Sequence, residues 1–212
     1  MNIRRFVLLS FVGASLLAGC SSSSADNALP QPVVGASVAP AAGPPKCAGQ
    51  QTTQQYASVS ETLLTTGGKL CIPAFGGLGG SVKYPPANPS TSISLISSTT
   101  NYNHKLPSLH SGTPLFYLQL SVASSTSFGN DVKAGGGLTG KPIVPGSTYT
   151  AYAQAKVDGF PINFKPCYAV ATQGKFGGVL GGVGSLLKGQ SVPSGASGVI
   201  EIYPGKSTSD KC

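Results

Sequence analysis

Apolar and polar positions alternate along much of this chain, with the two-residue period of a half-buried strand. The clearest case is residues 114–122, where Phe116, Leu118, Leu120 and Val122 share one face and Tyr117, Gln119 and Ser121 share the other. Residues 148–157 alternate in the same way. Tyr149, Ala151, Ala153, Ala155 and Val157 face one side; Thr150, Tyr152, Gln154 and Lys156 face the other. Asp158-Gly159 follows and predicts a two-residue hairpin turn, with residues 160–172 as the partner strand. Pro161 and Pro166 lie inside that partner, which places it at a sheet edge, because proline cannot donate to a ladder. Further strands are predicted over 55–64, 92–98 and 199–203, with short ones at 69–72 and 81–84. Turns are predicted at Thr65-Thr-Gly-Gly68 and Pro85-Pro-Ala-Asn-Pro89.

The first twenty residues have a different pattern. Arg4 and Arg5 precede an apolar run over 6–17, broken only by Ser10, Gly13 and Ser15, and Leu17-Ala18-Gly19-Cys20 ends it. A basic start, a short apolar stretch and small residues before a cut make a secretory signal. The run is about twelve residues long, against the roughly 20 a helix needs to cross a bilayer. Residues 21–46 are rich in Ser, Ala and Pro and poor in charge and aromatics. Such a segment buries too little surface to order itself. The expected organisation is a signal over 1–19, a tether over 20–46 with a reach of about 30 Å, and one folded domain over 47–212, a size that supports a single core.

The Leu17-Ala18-Gly19-Cys20 sequence resembles the lipobox of bacterial lipoproteins. The resemblance implies cleavage before Cys20 and acylation of that cysteine, which becomes the membrane anchor. Two or three acyl chains hold a protein stably on a bilayer, whereas one is marginal. Ser21, in place of the aspartate that resembles an inner-membrane retention signal, favours the outer membrane where the cell has one. The expected location is therefore the bacterial cell envelope, with membrane lipid as the first partner through Cys20.

An exported chain meets an oxidising compartment, and four cysteines follow Cys20: Cys47, Cys71, Cys167 and Cys212. Their even number predicts two disulfides. No two stand at zinc-ligand spacing. Three pairings are possible. Shorter loops cost less to close, which favours Cys47–Cys71 with Cys167–Cys212. The proximity of chain ends in many domains favours Cys47–Cys212 with Cys71–Cys167.

Charge narrows the function classes. The formal net charge is +8, but of the 14 basic residues Arg4 and Arg5 leave with the signal, and all the others are lysines scattered singly. Nucleic-acid sites lean on arginine's bidentate fork and on clustered charge, so no nucleic-acid partner is expected. Few charges with many Gly, Ser, Thr and Pro suit an extracellular β-sandwich with long loops and do not suit a helical bundle. Residues 144–149, Val-Pro-Gly-Ser-Thr-Tyr, resemble the turn into strand F of fibronectin type III and related immunoglobulin-like domains, where a tyrosine packs at the sandwich corner. Residues 79–86 and 114–120 resemble segments of small β-sandwich modules in secreted bacterial proteins. The expected fold is all-β, an Ig-like antiparallel β-sandwich with long Gly/Pro-rich loops.

Motifs for chemistry are sparse. The glycine-rich stretches 75–80 and 177–184 lack the strand–turn–helix setting of a dinucleotide loop and the Lys-Ser/Thr of a Walker motif; both are expected as flexible loops. Gly195-Ala-Ser-Gly198 misses the hydrolase elbow, Gly-x-Ser-x-Gly. Among six carboxylates, only Glu61, Asp131 and Glu201 stand where a glycosidase pair is possible, and no motif joins them. No cofactor and no metal is expected. The richest loop is residues 101–105, Asn-Tyr-Asn-His-Lys, with His110 nearby. Tyr102, Asn103, His104 and His110 bring amide, aromatic and imidazole groups together between two strands, where binding sites concentrate. The reading is a binding or envelope-structural module whose partner is an envelope protein or a glycan. A carbohydrate-binding module and an unfamiliar extracytoplasmic hydrolase are the alternatives.

Overall fold

A computed structural model of the chain describes residues 43–44, 46–101, 108–129, 134–180 and 191–212, and every regular element among them is a strand. Cys20, the tether up to residue 42, Tyr102, Asn103, His104 and Asp131 lie outside the described residues. In chain order the strands are β1 (Gln51–Thr52), β2 (Ala57–Leu63), β3 (Gly68–Phe75), β4 (Leu78–Tyr84) and β5 (Ala87–Asn88). Next come β6 (Thr91–Ser98), β7 (Phe116–Val122), β8 (Thr126–Phe128), β9 (Ala134–Gly140) and β10 (Thr148–Val157). The last are β11 (Phe160–Asn163), β12 (Cys167–Val170), β13 (Lys175–Leu180), β14 (Ser191–Val192) and β15 (Ser197–Pro204).

These strands form an antiparallel β-sandwich, the expected architecture. The large sheet runs β1-β2-β6-β7-β15-β10-β11, with β12 also on β10; the second runs β13-β9-β4-β3; a small third runs β14-β8-β5. One core joins the two main sheets. Val59, Leu95, Phe116, Leu118 and Ile202 of the large sheet meet Leu70, Ile72, Leu78, Leu138 and Phe176 of the second. The period-two faces read from 114–122 and 148–157 are the faces that turn inward: Phe116, Leu118, Val122, Tyr149, Ala151 and Ala153 are all buried.

The Asp158-Gly159 turn forms as expected, with positive φ at both residues (50° and 83°). That is the backbone of a type I′ hairpin. Its partner is two strands. β11 pairs Val157 to Gln154 and β12 pairs Ala151 to Thr148; between them Phe164 N still donates to Ala153 O at 3.0 Å, and Lys165 and Pro166 leave the ladder. Pro166 is where the ladder breaks, since it brings no N–H. The free edge of β12 is covered by the chain's end. Tyr168 N donates to Asp210 O and Cys212 N to Tyr168 O, each at 2.8 Å.

The glycine-rich stretches differ from expectation. Gly76 and Gly77 do form a turn, but Leu78, Gly79 and Gly80 begin β4, and residues 177–180 belong to β13. Residues 181–190 lie outside the described part. β9 is also mostly glycine and escaped prediction, because a strand without side chains carries no alternation to read. Its glycines permit a close ladder: a Cβ on Gly80 would stand 1.9 Å from Gly137 O.

The corner tyrosine forms. Tyr149 Oη accepts from Val144 N at 2.9 Å and donates to Pro142 O at 3.2 Å, so the strand's first buried ring pins the turn before it. Both disulfides take the sequence-local pairing, Cys47–Cys71 and Cys167–Cys212. The first ties Cys47, ahead of β1, to β3. Gln50 reinforces that tie, its side chain donating to Ala74 O at 3.0 Å and accepting from Ala74 N at 2.9 Å.

Candidate functional site

The outward face of the large sheet is where the structure concentrates polar and aromatic groups. β15 lies between β7 and β10, and its register sets Tyr117, Glu201 and Tyr152 side by side in one row across three strands. Two residues on, Tyr203 stands beside Thr150, which is paired in turn with Tyr168 of β12. In the other direction, Gln119, Val199, Gln154 and Asn163 form a third row.

Although this face points away from the core, its centre is not open to water. Glu201 is 1% exposed and Tyr203 4%. Two segments cover them. The chain at Ser108–His110 lies over Glu201 and Tyr203, and the stretch after β15 crosses Thr150. There Thr150 Oγ1 donates to Gly205 O at 2.8 Å and accepts from Ser207 N at 3.1 Å.

Glu201 holds the first of these segments. Its Oε2 accepts from Leu109 N at 3.0 Å and from the Tyr203 hydroxyl at 2.7 Å. Both partners are donors, so the carboxyl group works as an acceptor only. The Tyr203 hydroxyl also lies 3.1 Å from His110 O and 3.3 Å from Ser108 Oγ. Its one proton goes to the closer, charge-bearing acceptor. Ser108 Oγ donates to His110 O at 2.8 Å, closing the loop on itself.

The rings pack on this frame. His110 stacks on Tyr152, centroids 4.7 Å apart and planes 10° from parallel, and meets Tyr203 edge-on at 5.0 Å. Tyr152 and Tyr203 are themselves edge-to-face at 5.6 Å. Such arrangements match the ring quadrupoles. The Tyr152 hydroxyl is 2.8 Å from Ser207 Oγ, so this one ring touches both covering segments.

Burial pushes the Tyr203 hydroxyl up to about 12, with the Glu201 carboxylate adding to the rise and Ser108 opposing it. Burial also raises Tyr117, where Gln119 works the other way and the charge of Glu201 adds to the rise. Tyr203 and Tyr117 are thus both held in the neutral form.

Of the four predicted binding residues, His110 is the one within the described part, and its ring is packed on the sheet. The loop that holds Tyr102, Asn103 and His104 therefore ends at a fixed base. A carboxylate does lie beneath Ser108–His110, where Glu201 accepts from Leu109 N. Glu201 was considered only as half of a glycosidase pair, and here it is enclosed, with no face open to a substrate. Its role and those of Tyr203 and Tyr117 were missed. The only available signal was an acidic and two aromatic residues on the outward positions of central strands. Glu61, the other described member of that set, accepts from Cys71 N at 3.0 Å and so completes the edge of β3. It lies close to the sulfurs of Cys47 and Cys71, but both sulfurs are in the disulfide and offer no thiolate to a metal.

Further out the face opens. Tyr168 is half-buried beneath the Lys206 ammonium, 4.4 Å from its ring centroid. The amide of Gln154 donates to exposed Asn163 at 2.7 Å. Comparison with protein-family models, with curated proteins and with solved structures gives no match.

Proposed function

We propose that this protein is a lipid-anchored component of the bacterial cell envelope, held by acylated Cys20, whose β-sandwich acts as a binding or envelope-structural module. Its binding face is the outward face of the large sheet, with the loop that ends at His110. One observation carries the reading: a fully enclosed carboxylate is committed to the backbone of a surface loop. Enclosing such a group is costly unless it is bonded, and here its bonds set the position of Leu109 and His110. A loop that only linked β6 to β7 would need no such base.

A glycan is the second reading. It is favoured by the open part of the same face, where half-buried Tyr152 and Tyr168 and exposed Asn163 offer rings and an amide.

Two measurements test the proposal. Cys20→Ser is expected to release the protein into the soluble fraction or leave it uncleaved; a processed form that still partitions with membrane would overturn the anchor. The Cys20→Ser chain is expected to co-sediment with detergent-washed cell envelopes, and Tyr102→Ala with His104→Ala to weaken this with little change in melting temperature. Equal sedimentation of both forms would place the binding surface elsewhere.

A further inference from the structure

We infer that the space between the two main sheets is a binding site for one hydrocarbon chain of an amphiphile. This site is on the opposite side of the large sheet from the face described above, and it stands or falls independently of that reading.

The space arises from small residues at facing positions. Two packed sheets stand about 10 Å apart, and side chains from both must fill the gap. On the large sheet, the inward positions include Ala153, opposite Ile200, and Ala155, opposite Gly198. On the second sheet, Val82 is opposite Gly136. Ala153, Ala155 and Gly198 on the large sheet leave a cavity of about 150 Å³, lined by Leu70, Val82, Ile93, Leu120, Phe128 and Ala153 among others. Gly136 lines a second cavity of about 50 Å³, which adjoins the first and shares Val82 and Ile200 as walls.

The larger space alone has about the volume at which an engineered Leu/Ile/Phe-lined cavity stays dry and takes up benzene. Water is disfavoured because it needs two to four polar partners. The described lining has few to give. The Gln154 amide is engaged with Asn163, and the Tyr84 hydroxyl accepts from Leu64 N at 3.0 Å. Two adjoining lobes suit a slim chain better than a compact ring.

The lining offers the ligand no charge. Leu70 and Val82 turn inward, so their neighbours Lys69 and Lys83, paired across the ladder, turn to the outer face of the second sheet. The site therefore takes the apolar part of a ligand alone.

Titration of the full chain carrying Cys20→Ser, which removes its own acyl groups as competitors, tests the site with sodium octanoate and with 1-octanol. Saturable one-to-one binding of both is expected. Ala153→Leu fills the cavity and should weaken both at least tenfold while the melting temperature holds or rises. If that variant fails to fold, Leu120→Phe makes the same test. No saturable binding, or undiminished binding to the filled variants, overturns the proposal. Phosphatidylglycerol vesicles separate the sources of the chain. Binding to vesicles but not to octanoate would mean surface attraction to a membrane, and would overturn it too.

Discussion

The Tyr203 hydroxyl donates to Glu201 Oε2 at 2.7 Å, from two residues further along the same strand, so both side chains stand on one face. Glu201 in turn reaches the backbone of Leu109, 92 residues away in sequence. The pair converts a local strand geometry into a long-range tie between β15 and the β6–β7 connection.

Removing the hydroxyl should loosen that tie. Tyr203→Phe leaves a buried carboxylate with one partner in place of two, at a cost of about 1–3 kcal/mol. That is a fall of roughly 2–4 °C in melting temperature per kcal/mol for a domain of this size. The pH dependence has a fixed sign. Folding raises the Tyr203 pKa from the ordinary 10.0 to about 12. The unfolded chain therefore loses this proton first as pH rises. The contribution is complete below pH 10 and is lost between 10 and about 12. Denaturant melts across that window should show a steeper alkaline loss in the native protein than in Tyr203→Phe. Parallel curves would show that Tyr203 is not the group responsible.

What could be read from the sequence tracks where side chains carry the information. The inward faces of β7 and β10 alternate visibly, and the Asp158-Gly159 turn and the corner tyrosine Tyr149 follow from local chemistry. β9 and β13 could not be read, because Gly136, Gly137 and Gly177 give no pattern and the same letters serve for a loop. The site was legible only at its surface. His110 marked the loop, but Glu201 sits at an outward position of its strand. Its burial depends on Ser108–His110, a segment far away in sequence, folding back over it. Pairing of the cysteines was open until the fold set Cys47 against Cys71 and Cys167 against Cys212.

Each disulfide should contribute about 2–4 kcal/mol. The sequence separations are 24 and 45, and loop-closure entropy gives the longer loop about 0.5 kcal/mol more. Peptide mapping without reduction should recover Cys47 linked to Cys71 and Cys167 linked to Cys212, with no alkylated cysteine among the four. Removing Cys167 and Cys212 together should cost slightly more than removing Cys47 and Cys71. Recovery of a Cys47–Cys212 peptide would contradict the fold at both ends.

One polar group offers a gain. Ser97 is completely buried between Ala57 and Leu118, and its hydroxyl has no hydrogen-bond partner among the described residues. An unsatisfied buried hydroxyl costs about 1–3 kcal/mol. Ser97→Ala removes the group while keeping most of the volume. The variant should unfold at higher denaturant concentration with an unchanged slope, by roughly 1 kcal/mol. A destabilised variant would mean that the hydroxyl is bonded after all.

The glycines of the second sheet can be told apart by what surrounds them. Gly80 faces backbone: an added Cβ would stand 1.9 Å from Gly137 O, on the neighbouring strand to which β4 is paired. Neither group can move aside without opening the ladder, so Gly80→Ala should cost about 3 kcal/mol or more, as overpacking against a fixed neighbour does. Gly177 is exposed, and its added Cβ would come no closer than 3.5 Å to Gly136 O, an ordinary contact. Gly177→Ala should be neutral or stabilising by up to about 1 kcal/mol, because it removes freedom mainly from the unfolded chain. Measured side by side in denaturant, the two substitutions change the same residue type in adjacent parts of one sheet. If both were tolerated equally, β4 and β9 would not be packed as closely as this ladder requires. If both were destructive, β13 would be closed in on its outer side as well.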